Sequence, residues 1–204
     1  MKILICASSR DLKDIYVTDA INLGHGLGQA GHEVIYGGGN QGLMAVCAGA
    51  AAAAGSRIVG IIPDIFNKAS PEVPHPTVVT ELVENLFARK EKMLFECDLV
   101  VVLAGGIGTL DEMWEAAAAN DIESYINEAG LIKPVVVLNT NNFFEGSRIQ
   151  MERCVEEGCV SPAKLQMFHF VDDAKAALGI IADYAKNGMP NLSVLMKKKE
   201  VAVA

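Results

Sequence analysis

The sequence predicts an α/β protein built on one doubly wound, mostly parallel sheet with helices on both faces. Residues 99–103 (LVVVL) and 134–138 (PVVVL) are continuous apolar runs, which are typical of strands buried on both faces of a parallel sheet. Short apolar runs alternate along the chain with longer amphipathic stretches, and this strand–helix rhythm is characteristic of Rossmann-like folds. We therefore predict a single α/β domain over residues 1–190, followed by a loose tail over residues 191–204.

The first half of the chain supplies three predicted strands and two helices. In order, these are a strand over residues 3–6, a helix over 12–30, a strand over 33–36, a helix over 42–54, a strand over 57–62 and a loop over 64–76. Gly31 and Gly55 follow the two helices, as glycine commonly does at helix C-termini. The loop is assigned because it contains three prolines.

The second half continues the same alternation. In order, the prediction is an extended piece over residues 77–80, a helix over 81–96, a strand over 99–103, a helix over 109–123, a strand over 134–138, a helix over 143–157, a strand over 167–171 and a helix over 173–186. Each helix is placed by its apolar periodicity and each strand by a short apolar run.

Composition and charge exclude several classes of partner. The 204 residues include 17 basic and 25 acidic side chains, for a formal net charge of −8. This balance argues against binding to nucleic acid or to an anionic membrane surface, so an anionic ligand would have to be met by a local site. The start of the chain is too short an apolar stretch for a signal peptide. A reduced, cytoplasmic location is the expectation.

Neither the cysteines nor the histidines suggest a metal site. The five cysteines form no Cys-x-x-Cys pair, and the four histidines form no spaced pair. Cys6 and Cys97 lie in or beside apolar runs and are interpreted as buried free thiols. No metal is predicted.

One glycine pattern after a predicted strand leaves a dinucleotide site open as an alternative. Gly37, Gly39 and Gly42 match G-x-G-x-x-G between the second strand and the next helix, and Asp64 follows at about the spacing of a ribose-binding carboxylate. Against this, the usual fingerprint occupies the first strand–helix turn, which here reads Ala-Ser-Ser-Arg without glycine.

A second glycine-rich turn follows the LVVVL strand and is predicted to cradle a phosphate. Gly105, Gly106 and Gly108 let backbone N–H groups turn toward a ligand, and Thr109 can cap the helix and contact an oxygen. No Gly-Lys-Ser/Thr follows, which excludes a Walker loop. The alternative is a tight turn that binds nothing, but two glycine cradles at neighbouring strand ends favour a nucleotide site.

Three stretches in order resemble the Lonely Guy (LOG) family of cytokinin-activating phosphoribohydrolases, also labelled lysine decarboxylase-like. They are YGGGNQGLM at residues 36–44, ARKEKM at 88–93 and AGGIGTLDE at 104–112, the last against the family pattern P-G-G-x-G-T-x-x-E. Ala104 replaces the family proline, and residues 120–131 differ from the family, which leaves the identity of the base open. No glycine motif holds a lysine suited to a pyridoxal Schiff base, so the decarboxylase label has no support. No cofactor is expected.

The resemblance implies hydrolysis of the N-glycosidic bond of an adenine- or cytokinin-type nucleoside 5′-monophosphate by a homodimer. It implies that Glu112 stabilises the developing ribosyl cation and that Arg89 orients Glu112 or the nucleotide. Asp111 is interpreted as an ordinary acidic residue of a first helical turn. The predicted substrate-binding residues are Ser8, Gly38, Gly39, Met44, Lys90, Gly105, Gly106, Gly108, Thr109 and Glu115. Structural roles for Lys90 and Glu115 stay open. The alternative function is a non-catalytic nucleotide or cofactor carrier, similar to molybdenum-cofactor carriers.

Overall fold

The computed structural model confirms the predicted fold class. It describes residues 1–69, 78–126 and 133–189. Seven parallel strands form one sheet in the order β4-β3-β2-β1-β5-β6-β7. The strands are β1 (Lys2–Cys6), β2 (Glu33–Tyr36), β3 (Ile58–Pro63), β4 (Val78–Val83), β5 (Leu99–Val102), β6 (Val135–Leu138) and β7 (Phe168–Val171).

Helices cover both faces of this sheet. They are α1 (Asp14–Gln29), α2 (Gly42–Ala53), α3 (Asp64–Ala69), α4 (Leu86–Glu96), α5 (Ile107–Ile126), α6 (Glu145–Glu156), α7 (Pro162–Leu165) and α8 (Ala174–Asn187). Side chains alternate between the faces along each strand. In β5, Leu99 and Val101 pack with α1, α2 and α8, whereas Val100 and Val102 pack with α4, α5 and α6. None of the helices in these residues is long and apolar enough to cross a membrane.

Two predictions in the middle of the chain are wrong. Residues 64–69 form α3 instead of a loop; the prolines that suggested a loop come later, within residues 70–77, which lie outside the described residues. The helix predicted from residue 81 begins at Leu86, because residues 81–83 complete β4 beside β3. Asn85 marks the true start, since its Oδ1 accepts hydrogen bonds from the N–H groups of Phe87 at 2.9 Å and Ala88 at 3.0 Å.

The strand order fixes where a ligand can bind. The chain leaves β1 outward through β2, β3 and β4, then returns to place β5 on the other side of β1. Connections therefore depart in opposite directions at the carboxyl ends of β1 and β5, and this topological switch point is where open α/β sheets bind ligands. The turn that follows β5 is the predicted phosphate cradle. The predicted tail, residues 191–204, lies outside the described residues.

Candidate active site

A cleft of about 1240 Å³ opens at this edge of the sheet. It is lined by residues 7–10 after β1, residues 36–40 at the end of β2, residues 44, 45, 48 and 49 of α2, Ile62, Phe66, Val78, Thr80, Arg89, residues 106–109 and Glu112. Its charged lining side chains, among the residues that the structure describes, are Arg10, Arg89 and Glu112. The cleft thus brings together most of the predicted site residues: Ser8, Gly38, Gly39, Met44, Arg89, Gly106, Gly108, Thr109 and Glu112.

The loop after β1 is held in place from two sides. The Ser8 N–H donates to the Ala104 carbonyl beyond β5 at 3.1 Å, and the Ser8 carbonyl accepts from the Met44 N–H in α2 at 3.2 Å. Gly42 opens α2 with φ of 66°, and a Cβ there would lie 2.5 Å from the Arg10 backbone nitrogen. Glycine at position 42 therefore permits the close approach that fixes this loop against α2.

The turn after β5 leads into the N-terminus of α5, which begins at Ile107, two residues earlier than predicted. Because the first N–H groups of a helix have no intrahelical acceptor, the amides of residues 107–109 are available to an anion at the positive end of the helix dipole. Thr109 is not the cap, since it lies within the first turn and is only 4% exposed.

Gly105 contributes to this turn by making room for a side chain. A Cβ on Gly105 would lie 2.1 Å from Thr109 Oγ1, so the threonine occupies the space that any other residue would fill. Gly105 does not line the cleft, in contrast to Gly106 and Gly108. The structure thus gives it a role in shaping the turn.

The glycines after β2 also serve close packing. Gly38 has φ of 74°, and a Cβ there would lie 2.1 Å from Ile62 Cγ1; a Cβ on Gly39 would lie 2.8 Å from Met44 Sδ. At Gly37, the nearest side-chain atom to a Cβ would be Arg89 Nη1 at 3.4 Å. The Arg89 guanidinium therefore lies beside the end of β2.

Arg89 and Glu112 form an ion pair at the wall of the cleft. Arg89 Nη2 in α4 donates to Glu112 Oε1 in α5 at 3.1 Å, and the two side chains are 18% and 14% exposed. Burial raises the pKa of Glu112 above its ordinary value, although the positive charge of Arg89 opposes the shift. A buried carboxylate with a raised pKa beside a cleft is a suitable general base.

Lys90, Asp111 and Glu115 form a separate cluster beside this pair. Lys90 Nζ lies 2.8 Å from Glu115 Oε2 and 2.9 Å from Asp111 Oδ2. The hydrogen bonds to Glu115 and then to Asp111 raise the pKa of Lys90. Neither Lys90 nor Glu115 lines the cleft, so the contacts of both connect α4 to α5 instead of reaching into it.

Sequence reasoning missed the proximity of Cys6 to Glu112. Cys6 ends β1 at 1% exposure, and burial, followed by the nearby charge of Glu112, raises the pKa of its thiol well above the ordinary value. Its prediction as a buried free thiol is confirmed. Its position at the end of the first strand, directly before the loop at the switch point, was the available signal.

The structure gives little support to the alternative of a dinucleotide site. Asp64, the carboxylate that this alternative requires, begins α3 and is absent from the lining of the cleft described above. The described residues also contain no group of three or more His, Cys, Asp or Glu side chains that could hold a metal ion.

Comparison with known proteins identifies the family. The model of a family described as "Possible lysine decarboxylase" matches residues 44–181. A cytokinin riboside 5′-monophosphate phosphoribohydrolase from Mycobacterium tuberculosis is 30% identical over 161 residues, which cover 78% of this chain and 81% of that protein. The chain belongs to the LOG family. Another LOG protein, the cytokinin riboside 5′-monophosphate phosphoribohydrolase LOG3 of Arabidopsis thaliana, is 29% identical over 183 residues, 89% of this chain and 81% of that protein.

Solved structures share the fold of this LOG-family chain at lower identity. The molybdenum cofactor carrier protein of Chlamydomonas reinhardtii has a TM-score of 0.67 and 19% identity, over 91% of this chain and 98% of that one. The molybdenum cofactor binding protein of Rippkaea orientalis has a TM-score of 0.66 and 18% identity, over 90% and 96%. These likenesses establish the architecture and not the ligand.

Proposed function

We propose that this protein hydrolyses the N-glycosidic bond of a nucleoside 5′-monophosphate, releasing the free base and ribose 5-phosphate. The observation that carries the proposal is the buried Arg89–Glu112 pair, 3.1 Å apart, at the wall of a cleft that also contains the first turn of α5. The amides of that turn suit a phosphate, and a carboxylate one turn further along the helix suits the sugar.

The proposed chemistry is a hydrolysis with an oxocarbenium-like transition state. The bond between ribose C1′ and the base nitrogen breaks, and its electron pair leaves with the base, which takes up a proton. A water oxygen bonds to C1′ and gives a proton to Glu112. The negative charge of Glu112 stabilises the positive charge that develops on the ribose ring. Arg89 keeps the carboxylate oriented and ionised.

The apolar part of the cleft is proposed to hold the base. Ile62, Phe66 and Val78 line it on the side of β3 and β4, whereas the α5 amides lie beside β5. The chemistry of these side chains suits an adenine-type base, including one that carries an apolar substituent. Relatives of this chain are cytokinin riboside 5′-monophosphate phosphoribohydrolases, which supports this choice of substrate.

A base-release assay tests the function. The protein is incubated with AMP, an N6-alkyl AMP and other nucleoside monophosphates, and free base is quantified by liquid chromatography. We expect release from the adenine nucleotides and at least about a hundredfold less from adenosine, which lacks the phosphate that the α5 amides would bind. Intact nucleotide after long incubation at high protein concentration, together with saturable nucleotide binding, would favour a non-catalytic carrier instead.

We also propose that the protein is a homodimer that associates through α4. This helix leaves Phe87 79% exposed and Phe95 84% exposed, and large exposed apolar side chains on one element commonly mark an interface. Light scattering after size-exclusion chromatography should give twice the monomer mass. Replacement of Phe95 by serine should shift the protein toward the monomer, whereas the same change at the exposed Ile149 of α6 should not. A monomeric wild-type protein would refute the proposal.

A further inference from the structure

Arg10 gives the cleft a positive charge that is not balanced inside it. Within the part of the chain that the structure describes, the charged side chains that line the cleft are Arg10, Arg89 and Glu112. Arg89 and Glu112 are paired with each other at 3.1 Å. Arg10 is exposed and forms no ion pair with another described residue. The guanidinium of Arg10 is therefore available to an anion that enters the cleft.

The backbone of Arg10 is held in place, although its side chain is exposed. Ser8 Oγ accepts a hydrogen bond from the Arg10 N–H at 2.9 Å and donates one to the Arg10 carbonyl at 3.1 Å. Ser8 itself is only 7% exposed, and the lack of a Cβ at Gly42 lets the start of α2 lie against the Arg10 nitrogen. Since all of these contacts involve the backbone of Arg10, its side chain can be replaced without releasing the loop.

The strand order places Arg10 at the phosphate end of the proposed site. Arg10 follows β1, which lies directly beside β5 in the sheet. The hydrogen bond from the Ser8 N–H to the Ala104 carbonyl joins this loop to the turn that leads into α5. The apolar side chains that are proposed to hold the base lie at β3 and β4, on the far side of β2. Arg10 thus neighbours the α5 amides and is separated from the base region by a strand.

We propose that Arg10 is a substrate-binding residue, whose guanidinium contacts the phosphate of the nucleoside 5′-monophosphate together with the α5 amides. The identity of the ligand rests on the proposed function. A phosphomonoester carries a charge of about −1.5 to −2 at pH 7, whereas a helix N-terminus offers only about half a positive charge. In a protein with a net charge of −8, the rest has to be met locally. A guanidinium suits this purpose because it can form two parallel hydrogen bonds with phosphate oxygens.

Equilibrium binding of ribose 5-phosphate tests the proposal without turnover, because this compound has no N-glycosidic bond. Titration calorimetry compares the wild type with Arg10→Ala and Arg10→Lys. We expect Arg10→Ala to weaken binding at least about tenfold, the usual loss for a hydrogen bond to a charged group. Arg10→Lys should lose less, because it keeps the charge without the planar fork. Adenosine has no phosphate, so its binding should change little in either variant.

Lys13→Ala is the matched control. Lys13 is exposed and lies in the same loop, immediately before α1, but it does not line the cleft. Its replacement removes the same charge from the same part of the protein. Because solvent and salt screen an exposed charge that makes no contact, ribose 5-phosphate should bind within about twofold of wild type. Equal losses in Arg10→Ala and Lys13→Ala, or a loss in neither, would overturn the proposal.

Ionic strength supplies a second readout, which a distorted loop would not reproduce. Salt screens the attraction between an exposed guanidinium and a phosphate. The ratio of wild-type affinity to Arg10→Ala affinity for ribose 5-phosphate should therefore fall as salt is added. A ratio that does not depend on ionic strength would show that the substitution acts through the shape of the loop, and would contradict a direct contact.

This proposal and the hydrolase function can fail separately. Base release from AMP, with ribose 5-phosphate binding unchanged in Arg10→Ala, would overturn only the role of Arg10. Nucleotide that binds through Arg10 and is never cleaved would overturn only the hydrolase function, and a wild-type protein that binds neither AMP nor ribose 5-phosphate would overturn both. Where base release occurs, Arg10→Ala should raise KM for AMP at least about tenfold and lower kcat much less, since the phosphate is bound in both the ground state and the transition state.

Discussion

Replacement of Glu112 by glutamine is expected to reduce base release by about a thousandfold, within the usual range for loss of a general acid–base group. Glutamine keeps the shape of the side chain and an acceptor for Arg89, but it can neither take a proton from water nor offer a full negative charge to the ribosyl cation. Since the phosphate cradle lies on backbone amides, nucleotide binding should change little. Base release and equilibrium binding of AMP, measured side by side, separate the two effects.

Glu152→Gln in α6 provides the control for this substitution. Glu152 is ion-paired with Arg148 on the surface of that helix, and its loss should leave base release unchanged. Base release by Glu112→Gln within a few-fold of wild type would remove Glu112 from the mechanism. Glu115→Gln is informative as well, because Glu115 contacts Lys90; we expect it to affect stability more than rate.

The pH dependence of the wild-type protein follows from the same carboxylate. Burial raises the pKa of Glu112, and the carboxylate form is the active one in the proposed chemistry. The rate should therefore fall as the pH drops through this raised pKa, with an acidic limb above the ordinary range of a glutamate. An acidic limb within the ordinary pKa range of glutamate would indicate that the rate does not depend on the raised pKa of Glu112.

The parts of the molecule that follow from local sequence were predictable. Continuous apolar runs predicted β5 and β6, and the glycines after β2 and β5 predicted two adjoining turns at one edge of the sheet. Arg89 and Glu112, 23 residues apart, lie within hydrogen-bond distance, while the orienting role that the family resemblance implied for Arg89 stays a prediction. Such features depend on residue type and chain order, which the sequence states directly.

The parts that depend on packing were not predictable. Gly105 was assigned to the ligand, but a neighbouring side chain fills the space beside it. Residues 81–83 were assigned to a helix, but pairing with β3 makes them strand. Cys6 was correctly assigned to the core as a free thiol, but its proximity to Glu112, more than a hundred residues later, depends on how the chain packs.

The three carboxylates near the start of α5 show the same difference between what residue order predicts and what packing decides. Carboxylates repel phosphate, so their position directly behind a phosphate cradle needs a reason. Asp111 and Glu115 are both within 3 Å of Lys90, and Glu112 is paired with Arg89. The adjacent arginine and lysine of α4 thus give each of the three carboxylates an ion-pair partner. Glu112 is the carboxylate of the three that lines the cleft.

Replacement of Arg89 by alanine is expected to lower kcat/KM by about a thousandfold, because a buried charge pair is broken and the remaining carboxylate is left without its cation. Arg89 lowers the pKa of Glu112, so its loss should move the acidic limb of the rate profile to higher pH. Arg89→Lys restores the charge but not the planar guanidinium beside Gly37. We expect Arg89→Lys to reverse part of the shift of the acidic limb and to restore little of the rate. Base-release kinetics across pH measure both.

Stability supplies an independent check on the Arg89 substitution. Without Arg89, the folded-state pKa of Glu112 rises further above its unfolded value, so the folded protein binds a proton more readily than the unfolded chain. The added penalty on stability should be present above that folded-state pKa and should disappear as the pH falls below the unfolded value. Arg148→Ala, which removes an arginine from surface ion pairs with Glu145 and Glu152 in α6, should change neither the rate nor its acidic limb. Equal acidic limbs in Arg89→Ala and wild type would show that Arg89 does not control the ionisation of Glu112.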